Sequence, residues 1–389
     1  MFRPEYSRLI ASLPATVPFV APDVLERISG RGISLRLGAN ESAFGISPQA
    51  QFAILQAIGR ISWYGDPESF RLREKLAHMH RVAMGNLVIG SGIDDLLGLV
   101  VRAFVEQGTS VVTSLGSYPT FSYHVAGYGG ALHFVPYRDY RNDLSGLAVA
   151  AIETGARLIY LANPDNPTGS WHGAGCLDTF LHEVPNNCVV LLDEAYGEFL
   201  LPEDVLPIIP EDPRVIRLRT FSKAHGMAGA RIGYGIAAAE AITAFSKVRV
   251  QFGVNSLAQA GALASLDDSR FIASVITAVA EGRDEYYVLG QKLGMPALRS
   301  ATNFVALDTG SASKAQYIKD SLLQRGVFVR VPGTAPLDQL IRVTVGTPGE
   351  RTAFAEALRD LAEYLCLPGS EAPNSIESDS HGPGLRGSS

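Results

Sequence analysis

Short apolar runs alternate with amphipathic stretches through the middle of the chain. The runs predict β-strands, and the stretches between most of them repeat their apolar positions at helical spacing. Because residues 189–192 are apolar at every position, we expect a mostly parallel sheet covered by helices on both faces. The predicted strands span residues 87–90, 110–114, 131–136, 157–162, 188–193 and 215–221, and the clearest helices span 94–104, 144–153 and 177–184.

The pattern differs on either side of this alternation. Four prolines and only short apolar pieces before residue 35 predict an extended arm. After about residue 240 a long helical region precedes a mixture of short strands and helices, and the Ser/Gly/Pro-rich tail has no apolar periodicity. The predicted organisation is an arm (1–34), a segment at the mouth of the site (35–45), a large α/β domain (46–240), a connecting helical region (241–292), a smaller α+β domain (293–367) and a disordered tail (368–389).

Composition narrows the class of protein. A chain of 389 residues suits two domains, each with its own core. Lys and Arg number 33 against 39 Asp and Glu, and no basic block occurs, which disfavours nucleic-acid binding. Three widely spaced cysteines favour a reduced compartment, and no apolar run is long enough to span a bilayer. We therefore expect a cytoplasmic protein without membrane contact.

Residues 220–231 bring two hydroxyls, a lysine and an arginine together among small side chains and glycines. Such neighbours let a backbone approach a ligand closely. Lys223 can form an imine with a carbonyl group, while Thr220, Ser222 and Arg231 can hold a phosphate. The stretch predicts a site for an anionic ligand that carries a carbonyl.

Other predicted strands also end in polar residues. Asp193 ends an apolar strand, and a buried carboxylate requires a cationic partner such as a protonated pyridine nitrogen. The rigid turn 163–169 fixes the amide of Asn166, and Tyr196 offers a phenol, so both can hydrogen-bond a phenolate oxygen. Residues 90–94 form either a simple tight turn or a helix N-terminus that attracts phosphate, but neither a Walker A loop nor a full dinucleotide fingerprint.

Taken in order, these motifs resemble a known family. Residues 163–169, 193–196 and 220–223, with Arg231 following, are similar to the fold-type I aminotransferases that use pyridoxal 5′-phosphate, and most similar to the histidinol-phosphate aminotransferase group. The resemblance extends over residues 35–365 and implies an aspartate aminotransferase-like fold. Supporting segments are residues 39–41, 64–67, 119–121 and 341–348.

The resemblance implies roles for individual residues. Lys223 binds the cofactor carbonyl and moves a proton, Asp193 pairs with the pyridinium nitrogen, and Tyr196 with Asn166 holds the O3′ oxygen. Tyr64 reaches the phosphate of the neighbouring subunit, which implies a homodimer with shared active sites. The remaining implied cofactor contacts are Gly92, Ile93, Asp94, Thr220, Ser222, Arg231 and, stacked on the ring, Phe121, with Tyr118 as the second candidate.

The substrate is less determined than the cofactor. Arg342, assisted by Arg330 and Asn40, is expected to bind a carboxylate or phosphate of the donor, and a guanidinium suits either anion. The implied reaction moves an amino group from histidinol phosphate or an aromatic amino acid to 2-oxoglutarate. The alternatives are a decarboxylase or lyase of the same fold, similar to threonine-phosphate decarboxylases, and a non-catalytic cofactor-binding regulator. We assign no metal ligands.

Three departures from the family pattern bear on the substrate side. Ser42-Ala43 stands where the family often has Asn-Pro, Ile93 where a small polar residue is common, and Asp165 where asparagine is frequent. None of these touches the imine chemistry.

Overall fold

A seven-stranded sheet organises the computed structural model, which describes residues 4–15 and 19–365. In chain order the strands are β1 (Leu35–Arg36), β2 (Leu87–Gly90), β3 (Ser110–Ser114), β4 (Ala131–Val135), β5 (Leu158–Ala162), β6 (Val189–Asp193), β7 (Val215–Thr220), β8 (Gly233–Ile236), β9 (Phe304–Asp308), β10 (Val327–Phe328) and β11 (Leu340–Thr344). The helices are α1 (Arg8–Ser12), α2 (Pro22–Ser29), α3 (Pro48–Ala57), α4 (Phe70–His80), α5 (Ile93–Phe104), α6 (Pro119–Gly127), α7 (Leu144–Thr154), α8 (Ala174–Glu183), α9 (Ala239–Ser246), α10 (Ser256–Ser265), α11 (Ser269–Lys292), α12 (Ala312–Gln324) and α13 (Pro348–Leu365).

The large sheet has the strand order β2-β8-β7-β6-β5-β3-β4. Every neighbouring pair is parallel except those that involve β8, which runs antiparallel to both β2 and β7. Each residue of β5 and β6 is buried, as their uninterrupted apolar character predicts. Because β5, β6 and β7 are parallel neighbours, their carboxyl ends open onto one edge of the sheet, where ligands of α/β proteins bind.

Strand β8 was not predicted from the sequence. Its Gly-Tyr-Gly-Ile sequence lacks the run of branched and aromatic residues that marks a strand. The glycines are required by close packing, since a Cβ on Gly233 would lie 2.8 Å from the carbonyl oxygen of Arg219 on β7. The six predicted strands are confirmed, with ends that differ by one residue at most.

The region after residue 238 is three helices instead of one long helical run. Residues between α9 and α10 leave the helical conformation, and Asn255 restarts it by accepting a hydrogen bond from the Ala258 amide at 2.7 Å. Among the short strands that follow, β10 pairs with β1 only at Val327–Phe328.

A second core lies beside the large sheet. Strands β9 and β11 pair antiparallel, and α11, α12 and α13 pack on them around residues such as Val279, Val305, Ile318 and Phe354. The separate cores of the large sheet support the proposed division near residues 240 and 292, which stays a prediction. Residues 366–389, with the predicted tail, lie outside the described residues. Among the helices of the described part of the chain, none combines the length and the apolar character that a bilayer crossing requires.

The segment after β1 approaches the turn that follows β7. Gly226 has a φ of +72° and lies so close to the backbone of Gly45 that a Cβ would have no room. This contact brings residues 35–45, which belong to the second core at Leu37, over the loop that carries Lys223. The site is therefore bounded by both cores.

Candidate active site

Lys223 lies in the turn after β7, between the large sheet and the segment after β1. Its Nζ donates a hydrogen bond to the carbonyl oxygen of Asn40 at 3.0 Å and lies 5.6 Å from the centre of the Tyr196 ring. Burial, followed by the nearby Arg342 guanidinium, lowers the pKa of the Lys223 amine to about 8. Part of this amine is therefore neutral near pH 7, although the protonated form still predominates. The Arg231 guanidinium also lowers this pKa, but by less than burial and Arg342 do.

Asp193 is the last residue of β6 and is only 4% exposed. Its carboxylate accepts hydrogen bonds from the Tyr160 hydroxyl at 2.8 Å and from the Ala195 amide at 2.9 Å, both of which are uncharged donors. It forms no salt bridge with any described residue. Burial raises the pKa of this carboxyl to about 6. The group therefore lacks the cation that a buried carboxylate requires.

The adjacent Glu194, unlike Asp193, has cationic partners within the protein. Its carboxylate contacts Arg217 at 2.5 Å and Arg219 at 3.0 Å, and all three side chains are largely buried. Burial alone would raise its pKa, but the two guanidinium groups lower it to about 2. Two neighbouring carboxyls at one strand end thus differ in whether the protein supplies their counter-ion.

Hydroxyl, guanidinium and amide groups converge at the end of β7 and the start of α5. The Thr220 hydroxyl donates to the Ser222 hydroxyl at 3.0 Å, and Arg231 reaches Ser222 at 3.4 Å. Arg231 also lies 3.4 Å from Asp94 in the first turn of α5. Gly92 precedes this helix with a φ of +89°, and a Cβ there would lie 2.6 Å from Arg231. Since the first amides of a helix have no partner within it, the cluster suits an anion such as phosphate.

Ile93 contributes differently from its neighbours. Its side chain is buried in the apolar core behind the sheet, so only its backbone amide at the start of α5 can face an anion. Arg231 itself has a φ of +57°, an uncommon value for a residue with a side chain. Backbone strain of this kind concentrates at functional sites.

Arg342 enters the site from β11 and is the central polar residue of the opposite wall. It donates to the Asn166 side-chain oxygen at 2.5 Å and to the Gly38 carbonyl at 2.9 Å. Its Nε is buried without a partner, and burial lowers the pKa of the guanidinium to about 10. No described carboxylate forms a salt bridge with it. A buried, unpaired guanidinium is a strong anion-binding group.

Two further contacts complete this wall. The Asn40 side chain donates to the Tyr196 hydroxyl at 2.8 Å. Arg330 pairs with Arg342 through two backbone hydrogen bonds, and its guanidinium lies 4.2 Å from the centre of the Phe19 ring. The structure therefore brings Asn40, Asn166, Tyr196 and Arg342 together near Lys223, whereas the Arg330 guanidinium lies over Phe19.

Two predicted residues lie elsewhere. Phe121 is fully buried and stacks on Tyr160 with ring centres 4.4 Å apart, so it has no face open to a ligand. This burial argues against Phe121 as the ring that stacks on the cofactor, and the second candidate, Tyr118, stays a prediction; its hydroxyl donates to Asp94 at 2.8 Å within the anion cluster. Tyr64 is 85% exposed, and its ring packs against Phe252 in a tilted arrangement with ring centres 4.7 Å apart.

Sequence reasoning missed Tyr160, the residue that holds Asp193. Its hydroxyl is the only side-chain polar group in the otherwise apolar strand β5. A lone hydroxyl in a fully buried strand requires a buried partner, and that requirement is a usable signal. Phe121 then orients the Tyr160 ring, so its burial still serves the site indirectly.

The chain is similar to known proteins over most of its length. The family described as aminotransferase class I and II matches residues 33–358. The chain belongs to this family. A histidinol-phosphate aminotransferase 2 from Carboxydothermus hydrogenoformans is 36% identical over 362 residues, which cover 92% of this chain and 99% of the relative.

Solved structures agree with this aminotransferase assignment. The histidinol-phosphate aminotransferase of Sinorhizobium meliloti, solved in complex with pyridoxal 5′-phosphate, has a TM-score of 0.90 and 45% identity, and the match covers 92% of this chain and 98% of that chain. The aspartate aminotransferase of Thermus thermophilus, solved with maleate, has a TM-score of 0.80, covers 93% of this chain and all of its own, and at 22% identity shows a shared fold alone.

These findings confirm the predicted family, the α/β fold class of fold type I and the enzyme class. They support an aminotransferase over the decarboxylase, lyase and regulator alternatives. The roles of the individual site residues stay predictions.

We predict opposite stability effects for the two adjacent carboxyls of this aminotransferase. The folded pKa of Asp193, about 6, lies above its ordinary value of 3.8, so its burial costs stability as the pH rises through 6. Asp193→Asn should therefore stabilise the cofactor-free protein at pH 7, by on the order of 2 kcal/mol, and by much less near pH 4. The free energy of unfolding, measured in urea at both pH values, checks this.

Glu194→Gln is the matched control. The folded pKa of Glu194, about 2, lies below its ordinary value of 4.5, so its ion pairs stabilise the fold above that value and are lost as the pH falls. This substitution should destabilise the protein at pH 7 by about 3 kcal/mol, because it leaves two guanidinium groups without their counter-ion. Equal and destabilising effects of both substitutions at pH 7 would contradict the assignment.

Proposed function

We propose that this aminotransferase uses pyridoxal 5′-phosphate and takes its amino group from an anionic donor, either histidinol phosphate or an aromatic amino acid, with 2-oxoglutarate as acceptor. The observation that carries the proposal is a set of three charged groups at one site. Asp193, Lys223 and Arg342 form no salt bridge with any described residue. A ligand with complementary groups accounts for all three.

The chemistry of the donor set fits pyridoxal phosphate. The orphan carboxylate of Asp193 suits a protonated ring nitrogen, and the amine of Lys223 suits the aldehyde. The cluster of Thr220, Ser222 and Arg231 suits the phosphate. A relative 45% identical to this chain was solved with the same cofactor.

Asn166 has a defined orientation toward the ring oxygen. Since its side-chain oxygen accepts from Arg342, its Nδ2 donor is left for the phenolic O3′ of the cofactor. Burial raises the pKa of the Tyr196 hydroxyl to about 12, so this phenol stays protonated and can donate to the same oxygen. Tyr118 would supply the aromatic ring that stacks on the cofactor.

When bound, the cofactor supplies an electron sink for the pair left on the donor Cα as its proton departs. Lys223 would have two tasks: its Nζ would hold the cofactor aldehyde covalently and, once the donor amine has replaced it there, would move the Cα proton to the C4′ position of the cofactor. A pKa of about 8 keeps part of this amine neutral at physiological pH. Asp193 would keep the ring nitrogen protonated, which the electron sink requires.

The donor's anionic group is assigned to Arg342 with help from Arg330. The unpartnered Nε of Arg342 and the absence of a salt bridge to any described carboxylate leave its charge free for a ligand. Relatives at 36% and 45% identity are named as histidinol-phosphate aminotransferases, which supports a phosphate on the donor.

A single-turnover reaction tests this function. Histidinol phosphate mixed with the holoenzyme, without acceptor, should convert the visible absorbance of the cofactor to that of its pyridoxamine form and release one carbonyl product per site. Arg342→Gln should raise the donor KM by about 10- to 100-fold, the loss expected for a charged hydrogen-bonded contact. Arg138→Gln, at a side chain that is 77% exposed, should not change it.

Because histidinol phosphate has no carboxylate to lose, the decarboxylase alternative is tested with amino-acid donors: release of CO2 from one of them, with unchanged cofactor absorbance, would identify a decarboxylase. Full conversion by aromatic amino acids, with none by histidinol phosphate, would leave an aminotransferase and overturn the phosphate donor. Acceptor identity follows from the reverse half-reaction, in which 2-oxoglutarate should restore the original absorbance.

The surface around α3 supports the homodimer. Large apolar residues there are exposed, with Phe52 at 64%, Leu55 at 57%, Ile61 at 62% and Trp63 at 70%. Contiguous exposed apolar side chains of this kind are typical of protein interfaces. Tyr64 follows directly on this surface, and we assign its hydroxyl to the cofactor phosphate of the neighbouring subunit.

Mixed dimers test the shared site. Lys223→Ala and Tyr64→Ala chains should each be inactive alone, but after subunit exchange each mixed dimer holds one intact site. Activity should recover to about one quarter of the wild-type level, since half of the dimers are mixed and one of their two sites is complete. No recovery, with exchange demonstrated by native mass spectrometry, would refute the shared site.

A further inference from the structure

Asp165 is a second buried carboxylate beside the site, at a position where the sequence resemblance leads us to expect asparagine. It is 1% exposed and directly precedes Asn166 in the turn after β5. Neither the cofactor assignment nor the donor assignment uses it. Its carboxylate forms no salt bridge with any described residue.

Four donors surround this carboxylate. Oδ1 accepts from the Tyr137 hydroxyl at 3.0 Å and from Asn142 Nδ2 at 3.2 Å. Oδ2 accepts from the Thr168 amide at 3.1 Å and from the Thr168 hydroxyl at 2.7 Å. Two of these donors, Asn142 Nδ2 and the Thr168 amide, are N–H groups that cannot reverse their roles.

The environment therefore requires an acceptor-only group. An asparagine at this position would turn its NH2 toward Asn142 in one orientation and toward the Thr168 amide in the other. Either orientation sets one N–H donor against another and removes at least one buried hydrogen bond. An asparagine at position 165 could therefore not accept hydrogen bonds from all four donors.

The same donors connect the turn to the rest of the large sheet. Tyr137 and Asn142 belong to the connection between β4 and α7, whereas Thr168 lies in the turn itself. The backbone of Asp165 closes the turn by donating to the Ser170 carbonyl at 2.8 Å and accepting from the Gly169 amide at 3.0 Å. Asn166 thus projects from a turn that Asp165 both closes through its backbone and ties to the connection between β4 and α7 through its carboxylate.

We propose that Asp165 is a positioning residue, which fixes Asn166 so that its oxygen meets Arg342 and its nitrogen meets the cofactor. This inference rests on the proposed function. The Arg342–Asn166 contact of 2.5 Å is the link through which a shift of the turn reaches the donor-binding group. Asp165 also adds negative charge near Tyr196, where burial already raises the pKa of the phenol, and so helps to keep it protonated.

Asp165→Asn in the holoenzyme tests the proposal. Visible circular dichroism of the bound cofactor reports ring orientation and should change in shape or sign, while the far-ultraviolet spectrum of the backbone stays the same. The KM for the donor should rise by about tenfold, the effect of one lost buried hydrogen bond, with a smaller change in kcat. Asp178→Asn, at a side chain that is 64% exposed, is the matched control and should behave as wild type.

A second substitution separates positioning from a general loss of stability. Asn142→Asp, added to Asp165→Asn, places a carboxylate opposite the new amide. The double variant should bring the donor KM most of the way back to the wild-type value. Recovery should be incomplete, since Asn142 also donates to the Ala162 carbonyl at 3.2 Å. If Asp165→Asn fails to fold, Tyr137→Phe removes a single donor and should produce a smaller change of the same kind.

The outcomes distinguish this inference from the proposed function. No cofactor signal in the wild-type protein would overturn the proposed function. A normal wild-type signal and a raised KM in Arg342→Gln, with Asp165→Asn and Tyr137→Phe unchanged in dichroism and KM, would overturn the positioning role alone. A lower melting temperature in Asp165→Asn without either spectral or KM change would also overturn it, because stability would then be its only contribution.

Discussion

The site contains three buried ionisable groups that have no counter-ion among the described residues: those of Asp193, Lys223 and Arg342. The rest of the site depends on this lack of counter-ions. Burying a charge without a partner is costly, and adjacent Glu194 shows that the same strand end can supply guanidinium partners. Burial moves the pKa of all three groups toward the neutral form. A ligand with complementary charges would therefore gain a favourable electrostatic interaction with each of these groups.

Topology brings these groups together from distant parts of the chain. Parallel strands β5, β6 and β7 end on one edge of the sheet, where they place Asn166, Asp193 and the Lys223 turn side by side. Arg342 arrives from β11 of the second core, and its bond to Asn166 joins the two cores across the site. In the proposed function, donor binding and cofactor binding would thereby be linked through one asparagine, next to Asp165 in the same turn.

The sequence alone predicted those parts of the arrangement that depend on residues close together in the chain. Apolar runs located six strands, and polar residues at strand ends located Asp193, Asn166 and Lys223. Strand β8 was not predicted, because its glycines are required by close packing against the neighbouring strand. The burial of Phe121 was not predicted either, because residue spacing does not reveal which aromatic ring faces the core of the sheet. The pKa of Lys223 likewise depends on Arg342, which is more than a hundred residues away along the chain.

The central claim is that Lys223 is the covalent attachment point of the cofactor. Borohydride reduction of the purified holoenzyme, followed by proteolysis and mass spectrometry, tests it most directly, because reduction makes the lysine–cofactor bond permanent. The account predicts a single phosphopyridoxyl adduct on the peptide that contains Lys223, and none on that peptide in Lys223→Ala. An adduct on another lysine of the wild-type protein, or no adduct in protein that shows the cofactor absorbance, would contradict the account.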